Sequence, residues 1–232
     1  MGKAGVLVLV VVAALFALSG CGSSEGSSGN AHVNDESGET HDLTLDERVG
    51  TPPQPPKFKN LEKVAEEAGC YLFLEYEEQK SKVVPVGSKA PEYNTYPASS
   101  GPHVKPPHQQ ADGAYLNTPE AINVVGSLNN GRMAIYYAPD LPEDTQLELK
   151  GLYDTMYGAT LLTADDEMRY AVAAVTWSNF MGCTAYDDER TLDAIRLFGK
   201  KTWGKYGNEP VEDFPFEGPT PRNPEEPESS EE

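Results

Sequence analysis

The chain has 232 residues, enough for one ordinary domain with tails, and a formal net charge of −19 at pH 7. Its acidic residues are spread along the chain, which argues against a nucleic-acid-binding protein because phosphates demand clustered Lys and Arg. Residues 22–56 and 211–232 are rich in small, polar and acidic residues and proline. We therefore predict a disordered acidic tether at 22–56, one globular domain at 57–210 and a disordered acidic Pro/Glu tail at 211–232.

Residues 1–21 have the pattern of a lipoprotein signal peptide. Lys3 precedes an apolar run at 6–18, too short to span a membrane and about right for a signal-peptide core. The run leads into Leu18-Ser19-Gly20-Cys21, which resembles a bacterial lipobox. An ordinary cleaved signal or a buried core helix is the alternative, but neither explains the cysteine. We expect acyl chains such as palmitate on Cys21 to anchor the protein to the cell membrane, facing outside the cytoplasm.

The globular part begins with a short amphipathic helix. Apolar residues recur at i, i+3, i+4 and i+7 over 61–68, and Gly69 follows as a C-cap. The aromatic and aliphatic run at 70–76 predicts a strand, and 82–86 predicts a weaker one. A long Pro-rich loop follows, in an irregular stretch at 93–131 that also includes a short helical pattern, and any chemistry is expected in this stretch.

Capping residues, prolines and apolar periodicity predict three helices and three strands after this loop. The helices are expected from the Thr118 N-cap to about Gly126, from a capping box at 140–143 to Gly158, and at about 188–203. The strands are expected at 132–138, 159–163 and 169–177. This order predicts an α/β (α+β) domain with a small mixed sheet flanked by helices.

Two cysteines remain once Cys21 is assigned to lipid. In an oxidising compartment, Cys70 and Cys183 predict a disulfide. A metal-binding or redox role is the alternative, although the two residues have no C-x-x-C spacing. A bond between them would close a loop of over 100 residues, for which the chain-entropy estimate is about 4–5 kcal/mol.

Several motifs together resemble one known family. They are Gly69-Cys70, Tyr96, Ser99-Ser100-Gly101-Pro102-His103, Asp112-Gly113-Ala114-Tyr115, Ser127-Leu128, Gly131, Ile135-Tyr136-Tyr137, Trp177 and Cys183. Over about 65–208 the chain resembles the bacterial domain of unknown function 3105 family. The resemblance implies a domain boundary and a set of marked positions, but no activity.

The chain departs from this family at one place. The family typically carries H-x-L-E-H-G where this chain has Gly126-Ser127-Leu128-Asn129-Asn130-Gly131. With the histidine of the S-G-P-H motif, the two family histidines resemble a metal or acid/base site. Asn129 and Asn130 bring neutral amides that ligate transition metals poorly and cannot act as bases. On that resemblance, restoring His, Glu and His at 126, 129 and 130 would rebuild the site.

His103 and His108 are the two histidines of the Pro-rich loop. His103 could be a metal ligand, a general base, a partner contact, or a side chain that holds the loop by bonding backbone carbonyls. His108, in P-P-H-Q-Q, is predicted to be exposed. A site using both would need further ligands.

No familiar hydrolase, phosphate-loop or metalloprotease motif occurs in the chain. We therefore expect a non-enzymatic binding or structural domain that meets an envelope protein partner, without nucleic acid and without a cofactor. The alternative is a Cu- or Zn-binding, or metal-dependent, envelope protein that uses His103.

Overall fold

A computed structural model describes residues 30–34, 40–156 and 159–204 of the chain. The strands are β1 Asn30–Asn34, β2 Thr40–Thr44, β3 Cys70–Phe73, β4 Lys82–Val83, β5 Pro102–His103, β6 Gly113–Tyr115, β7 Met133–Tyr137, β8 Ala159–Thr163, β9 Val172–Thr176 and β10 Asn179–Cys183. The helices are α1 Leu61–Glu67, α2 Ala121–Asn129, α3 Glu143–Tyr153 and α4 Asp188–Thr202. Within these ranges, no helix combines the length and the apolar character that a membrane crossing requires.

The main sheet has six strands in the order β3-β10-β9-β7-β8-β6. The pairs from β3 to β7 are antiparallel, whereas β7, β8 and β6 run parallel. The sheet is therefore mixed, and with four helices it forms the predicted α+β fold. Two small two-stranded sheets, β1-β2 and β4-β5, accompany it.

The two faces of the sheet support separate hydrophobic cores. Along β7, Met133 and Ile135 join one cluster and Ala134 and Tyr136 join the other, because successive side chains of a strand point to opposite faces. The first cluster also takes residues from α1, α3 and α4. The second takes residues from α2 and from the turn at Trp177. Burial on both sides explains why β7, β9 and β10, which are buried along their whole length, consist mainly of apolar residues.

Most elements outside the Pro-rich loop lie close to their predicted positions. α1, β7, β8 and α4 agree with the apolar patterns, and Asp187 caps α4 by accepting the Arg190 amide hydrogen bond. Strand β10 was not predicted, because its N-F-M-G-C sequence has no β-branched residue. It follows a turn with Ser178 at φ +58° and returns alongside β9.

Helix α2 begins two residues later and ends three residues later than predicted. Thr118 does not cap it, because its hydroxyl donates to the Thr163 carbonyl at 2.6 Å on the neighbouring strand. The helix continues past Gly126 to Asn129, and Gly131, at φ +76°, ends the turn instead. The stretch at 93–131 contains this predicted helix and, in addition, two short strands that were not predicted, β5 and β6.

The boundary predicted at residue 57 lies too late. Residues 43–56, the N-terminal segment, pack against the domain: Leu43 is buried, Leu45 bridges to Tyr115 and the Thr51 amide donates to the Leu147 carbonyl at 2.8 Å. Two facing glycines, Gly50 and Gly151, allow this approach. The composition of residues 43–56 did not predict this packing, because most of the contacts join backbone groups and do not depend on residue type. Cys21 and the tail at 211–232 lie outside the described residues.

Candidate functional site

The structure joins Cys70 and Cys183 in a disulfide, as predicted. The two residues lie directly opposite each other on β3 and β10, with their Cα atoms 3.8 Å apart. Cys183 is fully buried beneath the sheet. Both sulfur atoms are used in the bond, so in this state neither cysteine offers a thiolate for metal binding or redox chemistry.

The His103 side chain is packed inside the domain. Only 2% of the residue is exposed, its Nδ1 lies 2.9 Å from the Gly101 carbonyl oxygen, and its ring meets the Trp177 ring edge to face at 5.6 Å. Trp177 is held in turn because its indole N–H donates to the Glu78 carboxylate at 2.7 Å. His103 thus bonds a backbone carbonyl and holds the loop, the structural role weighed in the sequence analysis.

Truncating His103 should cost stability. We expect His103→Ala to lower the free energy of unfolding by about 2–4 kcal/mol, because it leaves a cavity beside Trp177 and removes a buried hydrogen bond. Urea unfolding of the two proteins measures the difference. As a control, His108→Ala should change the value by less than about 1 kcal/mol, because it removes a polar atom that has no partner. Equal losses for the two variants would contradict the structural role of His103.

His108 is half-buried, not exposed as predicted. Its Nδ1 atom and the Gln109 Oε1 atom are buried without a hydrogen-bond partner. The loop that carries them is held against α2, since the Gln110 amide donates to the Asn123 carbonyl at 2.9 Å and the Ser127 hydroxyl donates to the Gln110 carbonyl. These two hydrogen bonds hold the segment that carries His108 against the helix.

Asn129 and Asn130 belong to the end of α2 and not to a loop. Asn129 is buried in the last turn, and the Asn130 amide donates to the Ser127 carbonyl at 3.0 Å. A Cβ atom on Gly126 would lie 2.6 Å from the Val104 carbonyl oxygen. Histidine at position 126 therefore does not fit this backbone, and the rebuilt site expected from the resemblance would first have to separate the loop from the helix.

Ligand groups for a metal do not converge in the described residues. No three side chains among their His, Cys, Asp and Glu residues are close enough to hold an ion together. Two acidic clusters, at 165–167 and 187–189, serve the backbone instead: Asp165 accepts a hydrogen bond from the Glu167 amide at 2.9 Å, and Asp187 caps α4. His103 is thus not part of a three-ligand cluster in this part of the chain.

An open groove lies at the β3 edge of the sheet, on the face that carries the second hydrophobic cluster, with a volume of about 900 Å³. Its lining, called the aromatic groove below, is Phe73, Tyr76, Glu77, Asn94, Thr95, Tyr96, Glu167, Arg169, Tyr170 and Phe180. Phe73 and Phe180 are directly paired across the two strands, with ring centroids 6.2 Å apart. Tyr170 extends the row, its centroid lying 5.3 Å from that of Phe180.

Sequence reasoning missed the aromatic groove, although one signal pointed to it. In β3 the inward Cys70 and Leu72 alternate with Tyr71 and Phe73, which are 56% and 51% exposed. A strand that turns two large aromatic rings towards solvent is unusual when it is not part of a binding surface.

The first part of the Pro-rich stretch forms one wall of the aromatic groove. The Tyr76 hydroxyl hydrogen-bonds with the Thr95 hydroxyl at 3.0 Å and with that of Ser99. The Tyr93 hydroxyl donates to the Pro102 carbonyl at 2.8 Å. These side-chain bonds substitute for regular secondary structure and hold the wall in place.

Tyr96 projects from this wall with 42% of its surface exposed. Partial burial and then a hydrogen bond with the Asp165 carboxylate raise the pKa of its phenol. Burial alone raises the pKa of Tyr93. Both phenols stay neutral near pH 7, so they act as hydrogen-bond donors and apolar surfaces and not as bases.

The fold and the groove define an α+β domain with a mixed six-stranded sheet and an aromatic surface at the β3 edge of that sheet. A family model described as "Protein of unknown function (DUF3105)" matches residues 87–212, more than half of the chain. The chain therefore belongs to this family, as the sequence motifs indicated. The match includes most of the aromatic groove but not β3. Searches of curated proteins and of solved structures find no match.

Proposed function

We propose that this protein is a lipid-anchored, extracytoplasmic binding protein without enzymatic activity, and that its partner occupies the aromatic groove. The observation that carries the proposal is the pair of exposed aromatic rings that line the groove. Phe73 and Tyr96 come from separate elements, and each leaves a large part of its surface in water. Exposed apolar area of this kind costs free energy that a bound partner recovers.

The shape of the groove also supports a binding role. A volume of about 900 Å³ falls in the range of roughly 300–1,000 Å³ that is typical of ligand sites. Apolar rings and a few polar side chains line it together, which is the usual composition of such sites. The sheet and the hydrogen bonds of Tyr76 hold both walls in place, so a partner meets a surface that is already formed.

Support for the anchor comes from the N-terminal sequence and from the disulfide. The lipobox pattern ends at Cys21, and the first described strand, β1, begins at Asn30. The proposed anchor and the domain therefore lie on separate stretches of the chain. A disulfide such as Cys70–Cys183 is also typical of proteins outside the cytoplasm.

Replacing Cys21 tests the anchor. We expect Cys21→Ser to incorporate no labelled palmitate and to leave the membrane fraction, because no acyl chain can be attached to serine through a thioether or a thioester. Ser24→Ala, three residues further on, should behave as the wild type. Membrane retention of a labelled Cys21→Ser protein would show that the anchor lies elsewhere.

Cross-linking within cells tests the groove. A photoreactive p-benzoylphenylalanine in place of Tyr96 should give a cross-linked adduct of the anchored full chain. The same residue in place of Leu116, which is also 42% exposed, should give none, because Leu116 follows the opposite edge strand of the sheet. If neither position, or both equally, forms an adduct, the groove is not a specific binding site.

A further inference from the structure

We propose that the aromatic groove binds a pyranose chain of a cell-envelope glycan. This inference rests on the proposed function and specifies the chemical class of its ligand. Two features of the groove carry it: the exposed aromatic rings and the mixture of polar groups.

Two exposed rings supply the apolar part of the groove. Phe73 is 51% exposed and packs against the buried Phe180, which in turn contacts Tyr170, and Tyr96, on the wall formed by the Pro-rich stretch, is 42% exposed. The faces of a pyranose ring carry C–H groups with partial positive charge, which match the negative face of an aromatic ring. Phe73 and Tyr96 can therefore each support a sugar unit of one chain.

The polar groups of the groove complement hydroxyl groups. Glu77 and Glu167 supply acceptors, Arg169 supplies donors, and Asn94 supplies both. A sugar hydroxyl also donates and accepts, so one polyol can pair with all of them. Because carboxylates and a guanidinium share the groove, a strongly cationic or anionic ligand would meet repulsion from one of them.

The position of the groove favours a glycan over an extended peptide. A peptide that adds a strand to this sheet would pair with the backbone edge of β3, whereas the rings of Phe73 and Phe180 lie on the face of the sheet.

Titration with soluble oligosaccharides tests the inference. The detergent-solubilised full chain is titrated calorimetrically with β-1,4-linked hexamers of N-acetylglucosamine and of glucose. We expect saturable binding of at least one hexamer. Phe73→Ala and Tyr96→Ala should each weaken it about 5- to 50-fold, by analogy with the loss of one base–aromatic stack. Tyr96→Phe should retain most of the affinity because it keeps the ring.

Leu116→Ala is the matched control and should bind as the wild type does, since Leu116 is as exposed as Tyr96 but lies away from the groove. Affinity that does not respond to either ring truncation would overturn the inference. So would the absence of saturable binding of both hexamers at millimolar concentration. If a cross-linked adduct still formed at Tyr96 and resisted glycan-degrading enzymes, the binding function would stand with a different ligand.

Discussion

Removing the disulfide by the double change Cys70→Ala and Cys183→Ala is expected to lower the free energy of unfolding by about 4–5 kcal/mol. The bond joins residues 113 positions apart, so it restricts a large loop of the unfolded chain. It also ties β3, an edge strand of four residues, to β10. Without the bond, β3 depends on its backbone ladder with β10 and on its packing against α1.

Urea unfolding of the oxidised wild type and the double variant measures this loss. Alanine is the suitable replacement because Cys183 is fully buried, and a serine hydroxyl there would add a desolvation cost. Wild-type protein unfolded in the presence of a reductant should approach the stability of the variant. A difference below about 1 kcal/mol between oxidised wild type and variant would contradict a stabilising role for the bond.

Gly151→Ala is expected to lower the free energy of unfolding by about 3 kcal/mol or more, because the new methyl group overlaps backbone atoms that cannot rotate away. An ideal Cβ atom on Gly151 would lie 1.7 Å from the Thr51 carbonyl oxygen. The N-terminal segment would have to leave α3, losing the hydrogen bond from the Thr51 amide to Leu147 and that from the Gly50 amide to Asp154.

Two measurements on this variant separate local from global effects. Urea unfolding gives the stability, and limited proteolysis reports whether residues 43–56 become accessible. Gly69→Ala provides the control, since the nearest atom to its new Cβ would be 3.7 Å away and only the φ of +68° is unfavourable. That strain costs about 1–2 kcal/mol. Wild-type protease resistance at 43–56 in Gly151→Ala would show that the contact is not needed to hold the segment.

The elements that were predicted well are those whose signals are local. The apolar spacing at 61–68 and the Asp187 cap indicate α1 and α4, because helix periodicity and capping involve residues within one or two turns. The pairing of Cys70 with Cys183 followed from counting thiols in an oxidising compartment. The family motifs, from the S-G-P-H residues to Trp177, are also sequence properties.

Helix α2 shows where local signals fail. Thr118 and Pro119 are residues typical of a helix start, and Gly126 is typical of a helix end. The helix nevertheless runs from Ala121 to Asn129. The Thr118 hydroxyl donates to the Thr163 carbonyl instead of capping the helix, and Gly126 leaves room for the Val104 backbone carbonyl to pack closely against the helix. Each residue type was recognised, but its partner lies on an element distant in sequence.

The sequence by itself determined the acidic composition of the chain, the class of fold, the disulfide and the family, because these depend on composition, periodicity and motifs. Only the tertiary structure decided that residues 43–56 join the domain, that His103 is buried against Trp177 and that an aromatic groove exists. The groove draws on residues from 73–77, 94–96, 167–170 and 180. They come together because β3 pairs with β10 in a register that places Phe73 opposite Phe180. Pairing between strands that are distant in sequence produces no periodic pattern within either strand, so the sequence of one segment cannot predict it.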